Sequence, residues 1–270
     1  MQEHIKQFSV VRWSEHGAQA AVDDVAVEEP LEIRLNGQPL AVVMRTPGHD
    51  IELAAGFVLS EGLASATDEV SVGVGRDELG LEIPNVVDAR LPKLSDSEIA
   101  GWQRRVYANS SCGICGRASL ERVRVHAEPL KSTRTIGREI LQLLPVKLRG
   151  HQRSFATTGG LHAAMLFDDQ GSVLAAREDI GRHNAVDKLL GWALLQRRLP
   201  LSACGLFVSG RVSFEIAQKA LVAGIPCIAG ISAASSLAVE LALETGMTLV
   251  GFVRDGRAVV YAGNHFLKAS

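Results

Sequence analysis

Ala203-Cys204-Gly205-Leu206-Phe207-Val208-Ser209-Gly210-Arg211 is an apolar run that stops abruptly at serine, glycine and a cation. Its shortness predicts a buried strand over 203–208. Residues 213–223 then carry apolar side chains at helical spacing and close at Gly224. A second strand is expected over 226–230, a second helix over 235–244 closed by Gly246, and a third strand over 247–253. Residues 257–261 follow the turn Asp255-Gly256 as a further strand. Strands and helices alternating at these lengths imply a right-handed βαβαβ unit around a parallel sheet.

In such sheets ligands collect at the carboxyl ends of strands. Those ends hold Ser209-Gly210-Arg211, Gly230-Ile231-Ser232 and Arg254-Asp255-Gly256-Arg257. Helix N-termini stabilise anions through oriented N–H groups, so serine- and glycine-rich turns beside arginines read as a diphosphate cradle. The plainer alternative makes Ser213, Ser232 and Ser235 helix caps and the glycines turn residues. Neither G-x-x-x-x-G-K-[ST] nor G-x-G-x-x-G occurs, so no standard nucleotide fingerprint applies.

Immediately upstream lies a dense polar stretch, Arg177-Glu178-Asp179-Ile180-Gly181-Arg182-His183-Asn184-Ala185-Val186-Asp187-Lys188. The stripe Val186, Leu189, Leu190, Ala193 starts a helix near Arg182 or His183. Glu178, Asp179, Arg182, His183 and Asn184 gather at its beginning, more polar groups than capping alone needs. Before it, Thr157-Thr158-Gly159-Gly160 reads as a turn into the strand begun by Leu161-His162-Ala163-Ala164, and Asp168-Asp169-Gln170-Gly171 turns that strand back into 172–176. An amphipathic helix is expected over 137–148, ending at Gly150.

The N-terminal part has another character. Residues 8–13 and 31–35 read as strands, and Asn36-Gly37 turns the second of these into 38–45 as a hairpin. A helix is expected over 51–63 with Asp50 as N-cap and Gly62 at its end, then short strands over 70–74, 79–83 and 86–91. The fold class is therefore α/β: a β-rich N-terminal portion over 1–110, a cysteine loop and following strand over 111–126, and an α/β layered domain over 127–270.

That loop is Ser110-Ser111-Cys112-Gly113-Ile114-Cys115-Gly116-Arg117, reached through a helical stretch from Ser95 to Val106 and followed by a strand over 120–125. Small neighbours leave sulfur accessible, and Arg104, Arg105 and Arg117 add positive charge that favours the nucleophilic thiolate. Three readings compete. A structural zinc site would need two more Cys or His ligands, and the remaining thiols, Cys204 and Cys227, lie in apolar runs that read as buried strands. A thioredoxin-like dithiol lacks its strand–CxxC–helix setting. A sulfur-handling nucleophile fits best.

Composition narrows the class. The chain is 47% hydrophobic and 21% charged with a net charge of −2, which argues against a general nucleic-acid binder. No apolar run of about 18 residues occurs, so no membrane span is expected. Met1–Gln7 carries His, Glu and Lys instead of a signal-peptide core, so a cytoplasmic, reducing location is expected.

Together, the C-x-x-C loop, Thr158-Gly159-Gly160-Leu161-His162-Ala163-Ala164, the 177–188 stretch and Ser209-Gly210-Arg211 resemble the FdhD family, the formate dehydrogenase accessory sulfurtransferases. Phe57-Val58-Leu59-Ser60-Glu61-Gly62 and Gly251-Phe252-Val253-Arg254 resemble it too. The resemblance implies a C-terminal α/β/α layer similar to the cytidine deaminase-like fold. It implies a sulfur carrier that takes persulfide sulfur from a cysteine desulfurase. The sulfur passes to the bis(molybdopterin guanine dinucleotide) molybdenum or tungsten cofactor destined for formate dehydrogenase.

By the same resemblance Cys112 carries the persulfide, with Cys115 the candidate to resolve or relay it. The cofactor-binding segment matches Phe252, Val253, Arg254, Asp255, Gly256 and Arg257. Ser209, Gly210, Arg211, Arg182 and His183 are added as cofactor-binding candidates. No permanent metal is expected, and a homodimer is left open. Two rivals remain. A zinc deaminase needs H-x-E and P-C-x-x-C, whereas His162 precedes Ala163-Ala164 and the C-x-x-C lacks its proline, so that chemistry is rejected. A chaperone that only binds cofactor and apo-enzyme would need the phosphate cradle but not Cys112.

Overall fold

The computed structural model describes residues 4–95, 97–99, 101–102, 130, 136–263 and 267–268. The C-x-x-C loop, the helical expectation beyond Trp102 and the strand expected over 120–125 lie outside the described residues. β1 (Ile5–Ser14) and β2 (Gly17–Ala26) form a separate antiparallel hairpin. β3 (Glu29–Leu35) and β4 (Gln38–Arg45) meet at Asn36-Gly37, whose φ values of 50° and 81° supply the twist that a two-residue hairpin requires. After helix α1 (Asp50–Ser60), β5 (Ser71–Arg76) and β6 (Glu82–Arg90) complete a four-stranded sheet in the order β4-β3-β6-β5.

Two local expectations fail here. The strand expected over 79–83 does not form: Asp77 accepts from the N–H groups of Leu79 and Leu81 and makes 77–81 a turn, and Ile83 already belongs to β6. Asp50 is not the N-cap of α1. His49 occupies that position at φ 57°, while the Asp50 carboxylate receives Nε and Nη2 of Arg45 at 3.0 and 2.9 Å. The Arg45 side chain is wholly buried, and a buried guanidinium needs its charge matched more than a helix needs one cap bond.

β7 (Ile136–Gly137) leads into α2 (Arg138–His151), which runs through Gly150 instead of ending there. The expected 157–160 turn proves to be the end of a short helix, α3 (Arg153–Thr158), closed by Gly159 at φ 66°. Then come β8 (His162–Phe167), β9 (Val173–Asp179), α4 (Arg182–Leu195), β10 (Gly205–Val208), α5 (Phe214–Val222), β11 (Cys227–Gly230), α6 (Ser236–Thr245), β12 (Thr248–Arg254), β13 (Arg257–Ala262) and β14 (Leu267–Lys268). The central sheet has six strands in the order β13-β12-β11-β10-β8-β9. The parallel unit read from the sequence is present as β10, β11 and β12, but β8 and β13 run against it and β9 joins by antiparallel pairing with β8, so the sheet is mixed.

Strand alternation makes three layers. Leu166, Leu206, Val208, Ile228 and Leu249 face α4, α5 and α6 on one side. Met165, Phe167, Phe207, Ala229 and Val250 face α2 on the other. This α/β/α layering is joined to the four-stranded sheet through α1, whose Leu53, Ala54 and Val58 pack on β3 and β6 while Ala55 and Leu59 enter the α4 side of the central core. α1 and α4 touch backbone to backbone. A Cβ on Gly56 would lie 1.8 Å from the Asp187 carbonyl oxygen, and one on Gly191 would lie 1.8 Å from that of Glu52.

Candidate functional site

Because β8 runs antiparallel to β10, the first residue of β8 lies at the carboxyl end of β10. His162 therefore stands beside Ser209-Gly210-Arg211, and the helices α4 and α5 both begin at this edge. Gly210 is the contact point: a Cβ there would lie 3.4 Å from His162 Nδ1 and 3.9 Å from Arg182 Cδ. The Ser209 hydroxyl accepts from the Ala163 N–H at 2.9 Å and locks its loop to β8. His162 was not among the sequence-predicted site residues. Its only signal was a polar side chain at the mouth of an apolar strand that follows two glycines.

The polar cluster at the start of α4 divides cleanly. Glu178 accepts from the N–H groups of Ser154 and Phe155 at 3.0 and 2.8 Å and so anchors the first turn of α3. Asp179 is fully buried, pairs with Lys188 and accepts from Thr46 and Gly181 N–H. Asn184 donates to Asp179 and to the Met44 carbonyl. These three residues have structural work. Arg182 and His183 remain, and the Nε of Arg182 and the Nε2 of His183 are buried without a hydrogen-bond partner. An orphaned buried polar atom costs about 1–3 kcal/mol, so these two atoms are free to receive a water, an ion or a ligand.

The surroundings are electropositive but the imidazoles are not. Burial pushes His183 from an ordinary 6.5 down to about 4, with the cations Lys219 and Arg182 adding to the effect. Glu215 opposes it from 3.9 Å, too far for a hydrogen bond. His162 is lowered in the same direction by burial and by Arg182. One turn deeper, Lys219 donates to both oxygens of Asp187 at 2.8 and 2.9 Å and to Ser60 at 2.8 Å, which ties α5, α4 and α1 together.

The C-terminal candidates sit on the same edge, further out. β10, β11 and β12 are parallel, so Arg254 emerges on the side of Ser209-Gly210-Arg211. The loops are stitched together: Val212 bridges to Ala234, and the Phe252 N–H donates to the Ser232 carbonyl at 3.0 Å. Phe252 makes that bond from φ 52°, at a bulge where β12 and β13 slip register. The Arg254 guanidinium lies 5.6 Å from the Phe252 ring centroid, within cation–π range. Arg254 pairs with Arg257 across the Asp255-Gly256 turn, and Arg211, Arg254 and Arg257 are all exposed. Val253 differs from its neighbours, since its side chain is buried in the core beneath α2.

Other features lie elsewhere. A cavity of about 680 Å³ lined by His49, Asn85 and Leu195 sits at the opposite end of α1 and α4 and includes none of the sequence-predicted residues. Among the described residues no group of three or more His, Cys, Asp and Glu could hold a metal. Cys227 is buried in β11, as its apolar run suggested, and Cys204 is half-buried just before β10. No helix among the described residues is long and apolar enough to cross a membrane.

Comparison with known proteins places this architecture. The family model for the FdhD/NarQ family matches residues 26–268. The chain belongs to that family. A sulfur carrier protein FdhD of Streptomyces avermitilis is 51% identical over 263 residues, covering 95% of this chain and 93% of the relative. Another of that name from Sulfurisphaera tokodaii is 45% identical, covering 96% of each. A crystal structure from Desulfotalea psychrophila, provisionally named a formate dehydrogenase accessory protein, superposes with a TM-score of 0.77. It covers 98% of this chain and 100% of its own at 23% identity, and so speaks to the fold. The family match takes in both the C-x-x-C loop and the sheet-edge site, while β1 and nearly all of β2 precede it.

Proposed function

We propose that the protein is a sulfur carrier for formate dehydrogenase maturation, working through a persulfide on Cys112. The observation that carries this reading is near full-length similarity to proteins named sulfur carrier protein FdhD, in a chain whose one C-x-x-C pair is set among small residues and arginines. The Cys112 thiolate attacks the terminal sulfur of a desulfurase persulfide and releases the desulfurase cysteine as its thiolate. A second thiolate, that of Cys115 or of an external thiol, then attacks Cys112 Sγ and expels the terminal sulfur as sulfide to the acceptor, leaving a disulfide at Cys112 that a thiol reductant reopens.

The acceptor in this reading is the bis(molybdopterin guanine dinucleotide) form of the molybdenum or tungsten cofactor, bound as substrate. The sheet edge suits it. Arg182 Nε and His183 Nε2 lack partners, Gly210 leaves open backbone between His162 and Arg182, and Arg211, Arg254 and Arg257 offer exposed cations for diphosphates. Partners are a cysteine desulfurase and formate dehydrogenase, in a cytoplasmic setting that keeps the thiols reduced.

Incubation with a cysteine desulfurase and cysteine should add one sulfur, about 32 Da, removable by reductant. Cys112→Ala should lose that adduct and all sulfur transfer. A Cys112→Ala protein that still supports formate dehydrogenase activity would instead favour a cofactor-binding chaperone.

A further inference from the structure

The β1–β2 hairpin contributes no buried residue to any of the hydrophobic cores and joins neither of the larger sheets. It exposes Phe8, Val11 and Trp13 on β1 and Val22 and Val25 on β2, with Val11 66% and Trp13 83% accessible. A two-stranded ribbon is marginally stable alone and needs a further strand or a packed face. β2 has support, because α3 lies against it and a Cβ added at Gly160 would lie 3.7 Å from that of Ala26. Among the described residues nothing pairs with the outer edge of β1. Proteins protect exposed strand edges with bulges, prolines and charges. The edge strands of the two larger sheets follow that rule: the ladders of β4, β5, β9 and β13 are each broken by a register shift, and β4 carries Pro39. The β1–β2 ladder runs through ten consecutive pairs without a shift, and β1 contains neither proline nor glycine.

We propose that the outer edge of β1 is a strand-addition site for an extended segment of formate dehydrogenase in which apolar residues alternate with carboxylates. The choice of formate dehydrogenase rests on the proposed function; the edge and its chemistry stand without it. β1 carries two cations, Lys6 and Arg12, and no acid. Asp23 matches Arg12 at 2.8 Å, whereas Lys6 has no carboxylate partner among the described residues and lies 5.6 Å from the Phe8 ring centroid. Strand alternation puts both cations on one face with Phe8 and Val10, and Val11 and Trp13 on the other. An incoming strand therefore meets one face that favours carboxylates and one that is apolar. A second copy of the chain fits poorly. Twofold pairing of β1 with itself keeps each residue on its own face. In the registers centred on Ser9 or Val10 it sets Lys6 of one copy opposite or diagonal to Arg12 of the other, which brings like charges together. Location selects the partner. Gly160 lies two residues before His162, so a protein seated on β1 stands beside the sheet edge from which the sulfurated cofactor is handed on, and formate dehydrogenase is the enzyme that receives it.

Titration of the full chain with purified apo-formate dehydrogenase, with amide hydrogen exchange read on the complex, tests this. Binding should slow exchange at β1 amides that point away from β2 and leave the edge strand β13 unchanged. Lys6→Glu should weaken binding about fivefold and Val11→Lys about tenfold or more. Both side chains are exposed, so the variants should fold, and persulfide loading of Cys112 on the same preparations checks that they do. Variants that bind formate dehydrogenase as tightly as wild-type protein overturn the docking site and leave the sulfur-carrier reading intact. Wild-type protein that loads Cys112 but does not bind the enzyme overturns it as well. A wild-type dimer in sedimentation that Val11→Lys makes monomeric, with enzyme binding unchanged, gives the edge to a second copy and also overturns the proposal. Failure of wild-type protein to load Cys112 would count against the proposed function instead, and the titration and exchange would still decide the edge.

Discussion

Lys188 Nζ lies 2.7 Å from Asp179 Oδ2, and both side chains are sealed from solvent. The same ammonium donates to the Thr46 carbonyl at 3.0 Å, and the same carboxylate accepts from the Thr46 N–H at 3.2 Å. Thr46 follows the last residue of β4, so this closed circuit pins the N-terminal sheet to the end of β9 and the second turn of α4. It fixes the backbone that carries Arg182 and His183.

Lys188→Met should therefore destabilise the fold by about 3–5 kcal/mol, because it strands a buried carboxylate. The double variant with Asp179→Asn should recover part of the loss. Urea unfolding of the two proteins checks this, and equal stabilities would show that the stranded charge is not the cause.

The α1–α4 contact predicts a sign reversal between two identical substitutions. Gly56→Ala drives a methyl into the Asp187 carbonyl and should cost about 1–3 kcal/mol or more. Gly150→Ala, in the last turn of α2 with nothing within 4 Å of the new methyl, should instead be neutral or stabilising by up to about 1 kcal/mol. Thermal melts of the two variants give the comparison directly.

Much of this was legible beforehand because local chemistry decides it. Asn36-Gly37 dictates the β3–β4 hairpin, and the 203–253 pattern dictates three parallel strands with their helices. The antiparallel strands β8, β9 and β13 were foreseen as strands, but nothing local says that they join the same sheet. Asp50 and the 79–83 segment were misread because a buried arginine and an aspartate turn outbid local propensity. At the site, sequence proximity grouped Glu178, Asp179, Arg182, His183 and Asn184. Only the fold shows that three of them are consumed by Ser154, Phe155, Thr46, Met44 and Lys188, which leaves two free to act. His162 escaped notice because its neighbours Arg182 and Gly210 are distant in sequence.

Cys227 should be inert in the native protein. Burial alone pushes its thiol up to about 12, so essentially no thiolate is present near neutrality. Iodoacetamide at pH 8, followed by peptide mass mapping, should leave Cys227 unmodified until denaturant is added and should label the C-x-x-C loop first. Native labelling of Cys227 at a rate matching Cys112 would contradict the packing of β11 and weaken the assignment of Cys112 as the distinct nucleophile.

The neutral state of His183 has a consequence for stability. Its pKa is about 4 in the folded protein and near 6.5 when ordinary and solvated, lowered first by burial and then by Lys219 and Arg182. Between those values the unfolded chain binds a proton that the folded chain refuses. Stability linked to this group is complete above about pH 6.5 and drains away as pH falls toward 4. His162, lowered by burial and Arg182, acts in the same sense. Partial exposure of His183 lets solvent screen some of the effect, so the slope and its direction are the quantities to measure. Urea unfolding from pH 7 to pH 4 should show wild-type protein losing more stability on acidification than His183→Gln, whose side chain does not titrate. Parallel curves would mean that His183 takes up its proton in the folded protein as readily as in the unfolded chain. Burial would then impose no penalty on its charged form.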